Sequence, residues 1–429
     1  MCNNIKNNYL KHFCLIVILL LVPHLTSGQE GTVPRLTLSK AISIALENNP
    51  ELEAARRALK AREGDLLQAR LLPNPELSIE VENFGGAGDL GGFRGAETTF
   101  QISQLIETGG KRWKRGKVAN LEIKAAELEY HLRALSLSTQ VEQAFWEALS
   151  AQKKYELTNK LLGLAKKTLE TAKNRVEAGK VSPIELNKAR VMYSSAKIEL
   201  RNTFHQLSSA RKRLSSLLAY KLPEEFLLEG DLEEVPHPES ISVLEEYLKK
   251  SPRMRMGDMV VEINRAKAQL VRSLAIPDIT VSAGIRHFEE TDDRAFLASI
   301  EIPLPIFDRK QGARLSAQEE VLRAVSSARS TKIELKNRLY AAYHTLRGAI
   351  EEVEALKKDA LPQAEKSFSA AEEGYRYGKF SYLDLLDAQR TLFELKLRYI
   401  DALLACHTNW ATLKDIIGGH TISKGEDKE

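Results

Sequence analysis

Two stretches decide how this chain folds: GKVSPIELNKAR (179–190) and GKFSYLDLLDAQR (378–390), 199 positions apart in a chain of 429 residues. Each follows a long run of helix-forming residues and precedes another. Gly179 falls where the first run stops, at the left-handed position that glycine tolerates best. Ser182 then reads as an N-cap and Pro183 as the first helical residue, with Glu185 completing an S-x-x-E capping box. Gly378, Ser381 and Asp384 repeat the device. Each stretch is read as the tight tip of a helical hairpin, and the chain is expected to hold two.

The same offset of about 200 recurs on both sides of the tips, the mark of an internal repeat. Asn49-Pro50 opens one helical stretch and Ser251-Pro252 opens another. PELSIEVENF (75–84) is matched by PDITVSAGIRHF (277–288), and TTFQISQLIETGGKR by FLASIEIPLPIFDRK. The acidic, proline-containing segment 223–240 reads as a connector. The expected layout is therefore a first repeat over 29–222 and a second over 241–418, each with a helix, two strands and a long helical hairpin. A polar tail follows over 419–429.

Between Lys111 and Ala178 there is no proline, and only Gly116 and Gly163 interrupt the helical pattern. Roughly 67 residues at ~1.5 Å each make a rod of about 100 Å. Ala144, Ala148, Ala151, Tyr155, Thr158, Leu162, Ala165, Leu169, Ala172 and Val176 step alternately by four and three, a heptad seam. Its many alanines allow close approach but give a thin core, so such rods need several neighbours.

The strands answer a different need. Leu77, Ile79 and Val81 alternate with Ser78, Glu80 and Glu82, and Ile279, Val281, Ala283 and Ile285 alternate with polar or small residues. Four strands of about ten residues suit a transmembrane β-barrel, apolar side to lipid and polar side to water. Four cannot close a barrel, and open edges are not tolerated in lipid. Several copies must each contribute a piece.

The N-terminus carries Lys6 and Lys11, then the short apolar run FCLIVILLLV and a small-residue exit at Thr26-Ser27-Gly28. That is the layout of a secretory signal over 1–28. Cys2 and Cys14 leave with it, so Cys406 stands alone and no intrachain disulfide is available. A net charge of +4 is too small to argue for nucleic acid. The nine histidines are scattered, without H-x-x-x-H or C-x-x-C, so no metal site, cofactor site or catalytic constellation is expected. IETGGKRW lacks the glycine spacing and the Ser/Thr of a P-loop. Cys406-His407 is read as core.

LTLSKAISIALENNPEL, LLPNPEL and above all YRYGKFSYLDLLDAQRTLF (375–393), in this order and duplicated, resemble the TolC-like family of outer-membrane efflux proteins. The resemblance covers residues 36–418, and ISQLIETGGKR with IPLPIFDRKQG resembles its heavy-metal cation-efflux branch. It implies a mainly α fold with a small β part. Three chains would share a 12-stranded barrel in the outer membrane of a Gram-negative bacterium, continued into the periplasm by a helical tunnel. The connector would lie in the equatorial region. The implied role is a passive export duct, not an enzyme. Its implied partners are the other two copies, outer-membrane lipid, a periplasmic adaptor (membrane fusion) protein and an inner-membrane pump of the resistance-nodulation-division type.

The resemblance also implies site residues. Asp384 and Asp387 match acidic positions that ring the tunnel's periplasmic mouth. Tyr375 matches a tyrosine that helps hold the closed state, and Glu185 its acidic partner. Phe380 stands where the family's pattern has a basic residue, with Lys379 beside it. The tip residues Gly179, Lys180, Val181, Ser182, Gly378, Lys379, Phe380 and Ser381 match the surface that meets the adaptor; Val181 and Phe380 are expected to be exposed there. The competing reading is a periplasmic coiled-coil adaptor or structural rod without a barrel.

Overall fold

The computed structural model describes residues 34–220, 223 and 226–419. The expected signal segment, and all of the polar tail but Gly419, lie outside the described residues. The chain runs β1 (Arg35–Thr37), α1 (Leu38–Asn48), α2 (Pro50–Arg70), β2 (Glu76–Glu82), β3 (Glu97–Ile106), α3 (Lys111–Glu177) and α4 (Pro183–Leu218). It continues with β4 (Leu227–Glu229), α5 (Ile241–Lys250), α6 (Pro252–Ser273), β5 (Ile279–Phe288) and β6 (Asp293–Glu301). A final set, α7 (Gln311–Ala355), α8 (Leu361–Arg376) and α9 (Tyr382–Ile417), completes it.

The two starts read from Asn-Pro and Ser-Pro have a common cause. The Asn49 side chain accepts from the backbone N–H groups of Glu51 and Leu52, and the Ser251 hydroxyl from Met254 N–H. In both, proline fills the first helical position, where a missing N–H costs nothing.

α3 is one uninterrupted helix of 67 residues, and every position of its heptad seam is buried or half-buried. Midway along the first hairpin the hydroxyls of Thr158 and Thr203 lie 2.8 Å apart, so the one polar seam position is satisfied by its neighbour. The second rod differs. Between α7 and α8 the backbone makes a π-helical turn over Leu356–Ala360, with Pro362 at the start of α8. Proline has no N–H, and its ring would strike the carbonyl four residues back; the wider turn relieves both.

The four long strands form one antiparallel sheet in the order β2-β3-β5-β6, the hairpin of each repeat meeting the other through β3 and β5. Paired residues share a face. One cross-strand row reads Ile79, Phe100, Ile285 and Phe296; the next, on the opposite face, reads Glu80, Thr99, Arg286 and Ala295. All four members of the apolar row are exposed, Phe296 at 90%. Among the described residues nothing covers this face, and nothing pairs with the outer edges of β2 and β6. The short strands β1 and β4, absent from the sequence reading, pair in parallel and tie the start of the first repeat to the connector. Three residues each is too little for an alternating pattern to show.

The main core lies where the rods cross the short helices. Phe145 and Leu149 of α3 pack with Leu214 and Leu218 of α4, and the cluster also holds Leu346 and Ile416. A second, smaller cluster of Ala172, Ala189, Ala371, Tyr375, Tyr382 and Leu385 sits at the tips. No described helix is long and apolar enough to cross a membrane; the largest uncovered apolar row among the described residues lies on the sheet.

Candidate functional site

Both tips end their first helix in the same way. Lys180 N–H bonds to Arg175 O at 2.9 Å and Gly179 N–H to Val176 O at 2.9 Å; Lys379 N–H bonds to Gly374 O at 2.8 Å and Gly378 N–H to Tyr375 O at 3.0 Å. This paired six-to-one and five-to-two closure needs a left-handed residue, supplied by Gly179 at φ 65° and Gly378 at φ 74°. The N-caps that follow diverge. Ser381 and Asp384 make the full reciprocal capping box. The Ser182 hydroxyl accepts from Ile184 N–H alone, and the Glu185 carboxylate does not reach back to Ser182 N–H. The capping box read at Glu185 is therefore corrected: its carboxylate is engaged elsewhere.

Its partner is Tyr375. The phenol hydroxyl donates to Glu185 Oε2 at 3.4 Å, linking α8 to α4. Arg175, at the end of α3, lays its guanidinium 4.5 Å from the centre of the Tyr375 ring and donates to the Tyr375 carbonyl at 3.2 Å. Tyr382 packs its ring 5.6 Å from that of Tyr375, and its hydroxyl is buried without a partner. Burial raises the Tyr375 phenol above its usual range and pushes Tyr382 up to about 12, so both stay neutral and Tyr375 keeps the proton it donates. The two hairpins are thus tied at their ends by one cation–π contact and two hydrogen bonds.

Arg175 and Tyr382 escaped the sequence reading. A basic residue in a helix's last turn ordinarily reads as a partner for the helix dipole. Tyr382 occupies the position that Pro183 holds in the first tip. The basic group that contacts Tyr375 comes from the other hairpin; Lys379 and Lys180 are exposed and make no ion pair among the described residues.

Asp384 and Asp387 lie one turn apart on the exposed side of α9, apart from this tie. Asp384 accepts from Ser381 N–H at 2.9 Å and from its hydroxyl at 2.7 Å, bonds that hold its carboxyl below the usual range. Asp387 pairs with Arg390 at 3.2 Å. Val181 is half-buried rather than exposed. Phe380 is 49% exposed, its ring folded back over Gly374, where any Cβ would collide with it. Cys406 and His407 are core, as expected. His407 stacks on Trp146 at 3.8 Å and its Nε2–H donates to Leu232 O at 2.9 Å.

The chain matches the family described as Outer membrane efflux protein twice, over residues 41–219 and 243–419. It is 34% identical to the cobalt-zinc-cadmium resistance protein CzcC of Cupriavidus metallidurans, over 89% of this chain and 90% of that one. It is 27% identical to the nickel-cobalt-cadmium resistance protein NccC of Alcaligenes xylosoxydans xylosoxydans, over 80% and 76%. The fold is that of the CmeC outer membrane channel of Campylobacter jejuni, with a TM-score of 0.73 at 16% identity, over 89% of this chain and 85% of that one. A doubled helical hairpin beneath an open sheet with an exposed apolar face, with these matches across both halves, leads to one conclusion: the chain belongs to the outer membrane efflux protein family, the TolC-like channels of the Gram-negative outer membrane.

Proposed function

We propose that three copies of this chain close one duct for divalent heavy-metal cations, with twelve strands in the outer membrane and twelve helices reaching into the periplasm. The observation that carries it is the sheet: four strands with an uncovered apolar face and two bare edges, standing on rods of 67 and 66 residues. A solitary rod or adaptor has no use for such a face. The duct holds no catalytic machinery, and its cargo moves by the work of an inner-membrane pump of the resistance-nodulation-division type, reached through a periplasmic adaptor. The tips, with exposed Lys180, Lys379 and Phe380 beside Gly179, Val181, Ser182, Gly378 and Ser381, form the adaptor's landing surface.

In this reading Asp384 and Asp387 of three copies gather about six carboxylates at the periplasmic mouth, where their field concentrates cations. Tyr375, Glu185 and Arg175 hold the mouth closed, and parting the hairpins breaks their bonds together. The metal cargo is supported by the cobalt, zinc, cadmium and nickel in the names of the two relatives. Two measurements test the reading. In a planar bilayer the parent should conduct with cation preference, and Asp384→Ala with Asp387→Ala should lower that preference. In a metal-sensitive host carrying the cognate pump and adaptor, the gene should restore growth on cobalt, zinc or cadmium; unchanged tolerance would remove the metal assignment and leave the duct standing.

A further inference from the structure

The β2 start, β3 end, β5 start and β6 end all lie at the helix-bearing end of the sheet. The segments that gather there, 70–75, 107–117, 272–278 and 302–314, carry ten basic residues against three acidic. The opposite end, over 82–97 and 287–294, carries seven acidic residues against two arginines. The sheet is thus strongly polarised along its own strands.

Part of the basic surplus is structural. Lys111 bonds to Asp278 at 2.7 Å and to Ile276 O at 2.6 Å, and Arg115 is held by Glu107. Of the remainder, Lys114 donates to Gly109 O at 2.8 Å, Lys117 lies 5.6 Å from the centre of the Trp113 ring, and Lys310 pairs with Asp308. Arg112, Arg309 and Arg314 are exposed, and their guanidinium groups have no partner among the described residues. Beside them stands apolar surface that nothing covers among the described residues. Phe307 is 89% exposed, Leu304 74% and Ile306 60%, in a loop stiffened by Pro303 and Pro305, while Trp113 is 68% exposed. This surface continues directly from the apolar face of the sheet, through Ile300 on β6.

We infer that this junction is a binding belt for anionic glycerophospholipid of the periplasmic leaflet: Arg112, Arg309 and Arg314 take the phosphates while Trp113 and Phe307 lie at the boundary of the acyl chains. Charge selects the occupant. Unpaired guanidinium groups match phosphate geometry and are weakly hydrated, and aromatic side chains settle where chains meet headgroups. Each basic group near an anionic lipid surface contributes about fivefold in affinity. The acidic far end repels the same lipid, so the belt also sets which way the sheet sits in its membrane.

The inference rests on the sheet standing in the membrane, and its test separates the two. The full protein is reconstituted in vesicles of phosphatidylcholine, with and without phosphatidylglycerol, then extracted, and the retained lipid is counted by native mass spectrometry. Phosphatidylglycerol should be enriched over phosphatidylcholine. R112Q/R309Q/R314Q should abolish the enrichment without changing the subunit count or the retention of phosphatidylcholine. Equal retention of both lipids by the parent, or enrichment that survives the triple variant, overturns the belt and leaves the barrel intact. Dissociation of the variant into single chains in both compositions also overturns it, because the surface is then covered by a second copy. Failure to enter vesicles of either composition would count against the barrel itself.

Discussion

Gly374 and Phe380 show how much can turn on one missing methyl group. The Phe380 ring occupies the space a Cβ at position 374 would need, so Gly374→Ala should force the ring off the tip. Overpacking of this kind costs about 1–3 kcal/mol, and limited proteolysis should cut the second tip faster in the variant. Phe380→Ala added to Gly374→Ala should return the parent rate; if both variants are cut alike, the packing does not shape the tip. His407 makes a second residue-level case. Burial lowers its pKa, and its Nε2–H donates to a carbonyl, so the folded chain holds it neutral. The unfolded chain takes up the proton first, and stability present above pH ~6.5 should fall as pH drops below that value. Thermal unfolding at pH 7.5 and 5.5 should show this loss in the parent and less of it in His407→Gln; equal slopes would contradict the assignment. The core placement of His407 was legible in the sequence, because no second ligand-type residue stands at metal spacing. The Phe380–Gly374 contact was not, because it depends on which way a side chain turns at the tip.

At the scale of elements, the hairpins are built by local rules and joined by long-range ones. Glycine closure, N-caps and proline starts could all be read from a few neighbouring letters, and so could the alternation of the sheet. The tie between hairpins joins residues about 200 positions apart, and its arginine lies in the other repeat from its tyrosine. Glu185 illustrates the limit. Its spacing from Ser182 fits a capping box, yet Tyr375 captures the carboxylate, and only the tertiary arrangement decides between the two. Arg175→Ala should loosen the tie and raise mean single-channel conductance, whereas Lys379→Ala should leave it unchanged. A conductance insensitive to Arg175 would remove it from the closure. Farther up, Arg253 of α6 grips Asp415 of α9 with bonds of 2.9 and 2.7 Å in a half-buried setting. Asp415→Ala strands the guanidinium and should cost about 3 kcal/mol in stability, read as a lower unfolding midpoint; an unchanged midpoint would show that the pair is solvated.

The whole molecule is built as the proposed duct requires of one wall segment. Its rods have seams rich in alanine, its main core is confined to the crossing of the helices, and its sheet exposes apolar side chains on one face while both edges stay unpaired among the described residues. The duplication, the rods and the four strands could be read from the sequence because each is periodic. The π-helical turn before Pro362 and the strands β1 and β4 could not, since they answer to one proline and to a three-residue pairing. In the proposed trimer each feature that looks unfinished in one copy finds a counterpart in another: a bare edge for a bare edge, a thin seam for a neighbouring rod. Native mass spectrometry of the protein extracted from outer membranes in mild detergent tests this most directly. Assemblies of three chains are predicted, and a population of single chains that stays folded and soluble without detergent would contradict the account.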